Sequence, residues 1–389
     1  MSVLNLPDPV FIETDPEAVE LEMVSAYEQV TGKKLYPAQL ERLLIHEFAF
    51  RESLVRLAFQ AAAKQNLLSF ASYPMLDYLG DLVGTLRIPA AKASGKVMLT
   101  AVDPPAEGVP VLAGFRVAPP GGKEVFESTE SVVLESDAMS AEVRIQSVEP
   151  GASGNGFEAG EPWEFVDSQL YLASVECSET TAGGADEEDD GSLRERIRLA
   201  PHSWSVAGSR EAYIYHAKSV STQVIDVYPE SWDGNGTLME GTVRVHVLSE
   251  PLLLGTPEGG AQAETLRLEV AQVLMKEEVK PLCETLEIVN ATTVTITVSM
   301  DVTLYADGDA ASVAEGVTAA FESYCAHLKT SLGLDFVPSQ LAALLQAVSG
   351  VYKVNVVVPG GEPFRVGPSE VCLVSEYAIN YESTDEVMS

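Results

Sequence analysis

The sequence is poor in base. Lys and Arg number 24 against 58 Asp and Glu in 389 residues, a formal net charge of -34. A field of that sign repels phosphate backbones and argues against nucleic-acid binding, while self-repulsion keeps the free chain in solution. Histidine is scarce, with five residues at positions 46, 202, 216, 246 and 327 and no H-E-x-x-H spacing to put two imidazoles on one helical face. The four cysteines, Cys177, Cys283, Cys325 and Cys372, form no C-x-x-C pair. Buried reduced thiols are therefore expected rather than a zinc site or a disulfide framework. Long apolar runs are missing as well, and Met1-Ser-Val-Leu-Asn-Leu-Pro-Asp-Pro has neither a basic residue nor an apolar stretch of signal-peptide length. No membrane partner is expected, and synthesis and retention in a cytoplasm are.

Catalytic signatures are absent in the same way. There is no G-x-S-x-G elbow, no glycine-rich loop of the P-loop form and no Cys/His signature, so no catalytic residue, metal or cofactor is expected. With 58 carboxylates some pairs will fall at glycosidase spacing by chance, and nothing in the sequence selects one.

What is present suits a folded chain. Hydrophobic residues make up 46% and charged residues 21%, and at roughly 150 residues per domain the length predicts two to four domains. The expected class is multi-domain α+β. Asp15-Pro16 opens a helix that runs to about Gly32, and Pro37 to about Phe70 and Pro74 to Gly84 continue the helical pattern, giving a helical segment over 1–90. From Ala91, short runs such as Lys96-Val-Met-Leu-Thr-Ala-Val alternate with proline and glycine turns, giving a small all-β domain over 91–182. An α/β middle domain is expected over 183–285, with Val243, Val245 and Val247 sharing a strand face. The last domain, 286–389, is expected to be α+β with a polar, disordered tail from Glu382. In it Val294, Ile296, Val298, Met300, Val302 and Leu304 alternate with polar residues, so one strand face is buried and one wet.

Two features invite a functional reading. In Gly183-Gly-Ala-Asp-Glu-Glu-Asp-Asp-Gly-Ser-Leu-Arg-Glu-Arg-Ile, a calcium loop would start at Asp186 and use Glu188 and Asp190, but Ile197 stands where the bidentate carboxylate is required. The run is read instead as capping the helix that follows, with Asp186, Glu188, Asp189 and Asp190 at the positive end of its dipole. The second feature is the helix after Pro37, where Leu40, Leu43, Leu44, Ile45, Phe48, Phe50, Leu54, Val55, Leu57 and Phe59 form more than one apolar stripe and need cover from several sides, with Leu40, Leu44, Phe48, Val55 and Phe59 as candidate assembly contacts. Trp163, Trp204 and Trp232 are read as packing residues, with interface anchoring as the alternative.

The order of five stretches resembles the baseplate J-like proteins of contractile phage tails and contractile injection systems. They are Tyr78-Leu-Gly-Asp-Leu-Val-Gly; Val109-Pro-Val-Leu-Ala-Gly-Phe-Arg-Val; Gly151-Ala-Ser-Gly-Asn; the acidic run, carrying Gly183, Gly184, Leu193, Arg194 and Arg196, with Ala207-Gly-Ser-Arg-Glu-Ala-Tyr and its Gly208 after it; and Lys280-Pro-Leu-Cys-Glu with Gly350-Val-Tyr-Lys-Val. The resemblance implies a structural, non-enzymatic protein. Two copies would pair with one baseplate I-like protein to form a wedge, and wedges would join around the tail hub beside sheath-proximal baseplate proteins. Assembly would take place in a host bacterial cytoplasm and end in a virion baseplate or injection particle. A baseplate-associated glycan hydrolase and a receptor-binding protein are the alternatives. The uncovered helical faces would be met by the second copy and the I-like protein, or by the chain's own β domain. A chain starting near Ala91 is expected to fold yet fail to build wedges.

Overall fold

The computed structural model describes residues 7–135, 139–167, 169–204, 208–231, 240–281, 284–306, 310–358 and 363–384. The chain is mixed α+β and divides into two compact units, one of 1–87 with 189–200 and one of 88–188 with 201–389.

The first unit holds α1 (Pro16–Thr31), α2 (Leu40–Lys64), α3 (Met75–Asp81) and α4 (Asp190–Leu199). Asp15 caps α1 by accepting from the Glu17 N–H, Pro16 follows it, and Gly32 closes the helix at φ 66°. Helix α2 stops at Lys64, short of the expected Phe70, because the Asn66 side-chain amide donates to the Ala62 and Ala63 carbonyls and takes up the end of the ladder. The apolar core of the unit joins α3 to α4. Ala71, Leu76, Leu193 and Ile197 are buried together, with Leu68, Leu79 and Val83 packed around them. Helix α4 was expected in the middle domain, and its apolar face at Leu193 and Ile197 is instead buried against the helical segment.

The second unit begins with a β-barrel. Its strands are β1 (Ser94–Ala101), β3 (Arg116–Ala118), β4 (Phe126–Ser128), β6 (Ser140–Ser147), β7 (Pro162–Phe165) and β8 (Leu172–Ala182). They follow the order β1-β6-β4-β3-β7-β8, and antiparallel pairing of β8 with β1 closes the barrel, while β2 (Val109–Val111) and β5 (Val132–Leu134) form a separate pair. Val97, Leu99, Val143, Ile145, Val175 and Cys177 point inward, as the strand alternation requires. An aromatic group fills one end, with the Phe126 and Trp163 rings 4.9 Å apart and Phe157 edge-on to both. Trp163 is thus a core residue, Trp204 is exposed, and Trp232 lies outside the described residues.

Beyond α4, α5 (Arg210–Lys218) and α6 (Pro257–Leu274) pack on a sheet of β9 (Val224–Ser231), β10 (Thr242–Ser249) and β11 (Thr285–Asn290), ordered β11-β10-β9. Val245 and Val247 are buried as expected, but so are His246 and Leu248, so this central strand is covered on both faces and Val243 is only half-buried. The chain changes sheets at Ala291. There β12 (Thr292–Leu304) starts a second sheet with β13 (Val351–Val357) antiparallel and β14 (Glu370–Ser383) parallel to it. Helices α7 (Ala310–Leu328) and α8 (Pro338–Gln346) cover one face, with Ile296, Val298, Met300 and Val302 of β12 buried against Val317, Phe321 and Leu341. Leu248, Ala291 and Val371 join the two sheets, and the Asp226 carboxylate accepts from the Ser331 hydroxyl and the Leu332 N–H at 2.8 and 2.9 Å. The expected disordered tail begins too early, since Glu382 and Ser383 are in β14 and the Thr384 N–H donates to the Leu304 carbonyl. Residues 385–389 lie outside the described residues.

Candidate assembly site

The acidic run does several jobs, only one of which is capping. Asp189 is the cap: its carboxylate accepts from the Gly191 and Ser192 N–H groups and from the Ser192 hydroxyl. Burial pushes this carboxyl up, but the Ser192 hydroxyl and the two N–H groups outweigh it and hold the group below the usual carboxylate range. Asp190, expected as a cap, points elsewhere. It accepts from the Arg87 guanidinium at 2.7 Å and from the Tyr73 N–H at 3.1 Å. Arg87 also forks onto both Asp77 oxygens at 2.9 Å, which lowers the Asp77 carboxyl and raises the guanidinium. Arg194 and Arg196 donate to backbone carbonyls, the first to Leu68 and Ala71 and the second to Leu86. All of these groups belong to the helical unit.

The earlier acids of the run serve the neck of the barrel. Buried Glu188 accepts from the Ile88 N–H, Asp186 from the Ala152 N–H, and Ala91 and Ala185 exchange two backbone bonds, so the segments entering and leaving the barrel are zipped together. Gly184 and Asn155 bond reciprocally at 2.7 and 2.8 Å. A side chain on Gly184 would run into the Gly151 carbonyl, which is why glycine is required there. Gly183 (φ 82°) turns the chain, and Gly208 (φ 70°) packs under Glu284, Pro281 and the Tyr213 hydroxyl. Ala207, Leu282 and Cys283 of the motifs lie outside the described residues. Among the described residues no group of three or more His, Cys, Asp or Glu is placed to hold a metal ion, and no helix is long and apolar enough to cross a membrane.

The apolar residues singled out on α2 are the more unusual feature. Leu40, Leu44, Phe48, Val55 and Phe59 fall within a stripe of about 100° at ~100° per residue, and they are 51–69% exposed. A second stripe, Leu43, Phe50, Leu54 and Leu57, occupies about 60° on the other flank, and its members are 48–58% exposed. Between the stripes α2 faces α1 with small or polar residues, of which Ala49 and Ser53 are buried. Ion pairs clamp that interface. Glu20 accepts from Arg42 and His46 at 2.7 Å, and Arg56 reaches Glu22 as well as Glu52. The His46 hydrogen bond lowers the Glu20 carboxyl further than burial raises it. Val19 and Val24 of α1 are buried, whereas α2 buries only the small Ala49 and Ser53 and leaves its large apolar groups outside. Ile12, Met23, Ile45, Phe48, Val55 and Phe59 line an open groove of about 780 Å³. The sequence shows the stripes. The polar clamp was missed, because its partners lie 22 and 34 positions apart.

Comparison with known proteins agrees with this architecture. Residues 98–184 match the model of the baseplate J-like protein barrel domain, and residues 294–370 match that of the baseplate J-like protein C-terminal domain. Two segments of the chain are thus similar to the barrel and C-terminal domains of baseplate J-like proteins. A curated relative, baseplate protein J of Escherichia phage P2, is 26% identical over 199 residues, which are 51% of this chain and 61% of that protein. The matched part thus spans about three fifths of the relative's length. A chain in the cryo-EM structure of the anti-feeding prophage (AFP) baseplate, 6-fold symmetrised, aligns over 93% of this chain and 90% of that one, with 13% identity and a TM-score of 0.46. At that level the likeness carries no functional argument.

Proposed function

We propose that this protein is a baseplate J-like structural component of a contractile-tail baseplate wedge, assembled in a bacterial cytoplasm and retained in the particle. It pairs with a second copy of itself and with a baseplate I-like protein, and the wedges join around the tail hub. The observation that carries the reading is α2, which leaves two separate apolar stripes in water on a helix already occupied on its polar side by α1. Two stripes on opposite flanks suit two different partners, and the Leu40 to Phe59 stripe is assigned to the second copy.

The test places charge on that stripe in the full chain. Phe48 and Val55 are 62% and 68% exposed, so Phe48→Glu with Val55→Glu leaves the helical unit folded. Burying both side chains contributes about 2–4 kcal/mol, so self-association should weaken roughly 30-fold or more, read by sedimentation over a concentration series. Glutamate at the second stripe, Leu54 and Leu57, should abolish co-purification with the I-like protein and spare the pairing of copies. Unchanged association in both variants would remove the assembly role from α2. The experiment replaces truncation at Ala91, because a chain lacking 1–90 also strips α4 of Ala71 and Leu76.

A further inference from the structure

We propose that the free edge of β14 is a second docking site, independent of the helical stripes, and that it accepts an extended partner segment in which apolar residues alternate with Lys or Arg. Strand β14 is 14 residues long and lies at the end of its sheet, and among the described residues no strand pairs with its outer side. Long uncovered edges are commonly blunted by charge, proline or a short strand, and this one is long, has no proline and carries charge of one sign only, that of its glutamates. The Thr384 N–H donates inward to the Leu304 carbonyl. Since backbone groups alternate along a strand, those of Tyr377, Ile379, Tyr381 and Ser383 point outward, ready to pair.

The faces beside that edge specify the occupant. Register with β12 puts Tyr377, Ile379 and Tyr381 on the apolar side, level with Val298, Met300 and Val302. The Tyr377 ring packs tilted against Phe321 with centroids 4.6 Å apart, yet Tyr377 and Tyr381 stay 50% and 40% exposed, an apolar rim that one more strand would cover. On the opposite face Glu376 and Glu382 stand in register with Thr297 and Thr303, both exposed and without a described ion pair. A segment added here must offer apolar residues to the tyrosines and positive charge to the glutamates. A second copy's β14 does not fit, because it carries glutamate and no lysine or arginine and so supplies no positive charge to Glu376 and Glu382 in any register. The occupant is therefore a basic extended segment of a different protein.

The test uses the full chain and three synthetic nine-residue probes: alternating Val/Lys, alternating Val/Glu, and the Val/Lys peptide with two valines replaced by proline. The Val/Lys probe should bind and slow amide exchange within 376–383. The proline probe keeps the charge but cannot pair as a strand, and it should bind at least about tenfold more weakly. In Glu376→Lys/Glu382→Lys, both at exposed sites, the preference should reverse toward the Val/Glu probe. Equal binding of the proline probe, exchange protection elsewhere, or affinity indifferent to the charge swap would each overturn the proposal. The exchange map on the unaltered chain decides the matter even if the charge-swapped variant misfolds.

Discussion

Replacing Leu193 by alanine tests whether α4 belongs to the helical unit. Leu193 is fully buried, and its neighbours Ala71, Leu76 and Ile197 are the whole buried apolar core that joins α3 to α4. A buried Leu→Ala change costs about 2.7–5 kcal/mol through lost transfer energy and the residual cavity. The polar contacts of α4 survive the substitution: Asp189 still caps, and Arg194 still donates to Leu68 and Ala71. The low end of the range therefore applies to local opening, roughly a hundredfold in the opening equilibrium. Native-state amide exchange reads this quantity segment by segment. Protection in 75–81 and 190–199 should fall together by about two orders of magnitude, while β10, β12 and the barrel strands are unchanged. A loss spread evenly over the barrel and α4, or one confined to α4 with α3 unaffected, would refute the assignment of α4 to this unit.

Other outcomes follow from the same contacts. Asp189→Ala should cost on the order of 1 kcal/mol of α4 stability and Asp189→Asn less, whereas Asp190→Ala should loosen Tyr73 and Arg87 without fraying the first turn of α4, a contrast exchange at 190–199 and 73–87 can read. Because the folded-state carboxyls of Asp77 and Asp189 are lowered from 3.8, their contribution is fully present above the unfolded value and is lost as pH falls through the folded one. Exchange of the helical unit, corrected for intrinsic rate, should thus accelerate below about pH 4, and Asp189→Asn should remove part of that acid sensitivity. Burial pushes the Cys372 thiol up to about 11, so it should resist alkylation at pH 8 in the native chain. Val298→Asp puts an unpaired charge into the core around Cys372 and should expose that thiol, while Thr297→Asp on the wet face should not; equal labelling in the two variants would show that β12 is misassigned.

Legibility in the sequence followed the range of the forces involved. The alternation from Val294 to Leu304 and the three- and four-residue steps from Val313 to Leu328 are periodic over many residues, and burial follows both. Asp15-Pro16 and Pro338 mark helix starts by chemistry that acts within one turn. The acidic run is the opposite case. Five adjacent carboxylates before a helix look equivalent, but Asp186, Glu188 and Asp190 find their partners 34, 100 and 103 positions away, and no local pattern encodes those distances. Closure of the barrel was hidden for a related reason. Strands β3 and β4 have three residues each, too few for alternation to register, and closure depends on β1 meeting β8 nearly 80 positions later.

The α1–α2 pair has a physical logic of its own. Val19 and Val24 of α1 with Ala49 of α2 supply the buried apolar surface of the pair, and the ion pairs of Glu20, Arg42, His46 and Arg56, commonly worth below about 1 kcal/mol each, add to it, so α2 is held without using its large apolar side chains. Those side chains then remain available for association. Exposed apolar stripes carry the opposite hazard, indiscriminate clumping, and a formal charge of -34 counters it. Repulsion between copies acts over a Debye length of about 8 Å at physiological salt, whereas apolar burial acts at contact. Only an approach that brings complementary surface into register gains enough burial to overcome that repulsion. On the proposed reading, the acidity that argues against nucleic-acid partners also sets the selectivity of assembly: the stripe on α2 accepts a well-fitted copy despite the repulsion, and the β14 edge, lined by Glu376 and Glu382, favours a partner of opposite charge.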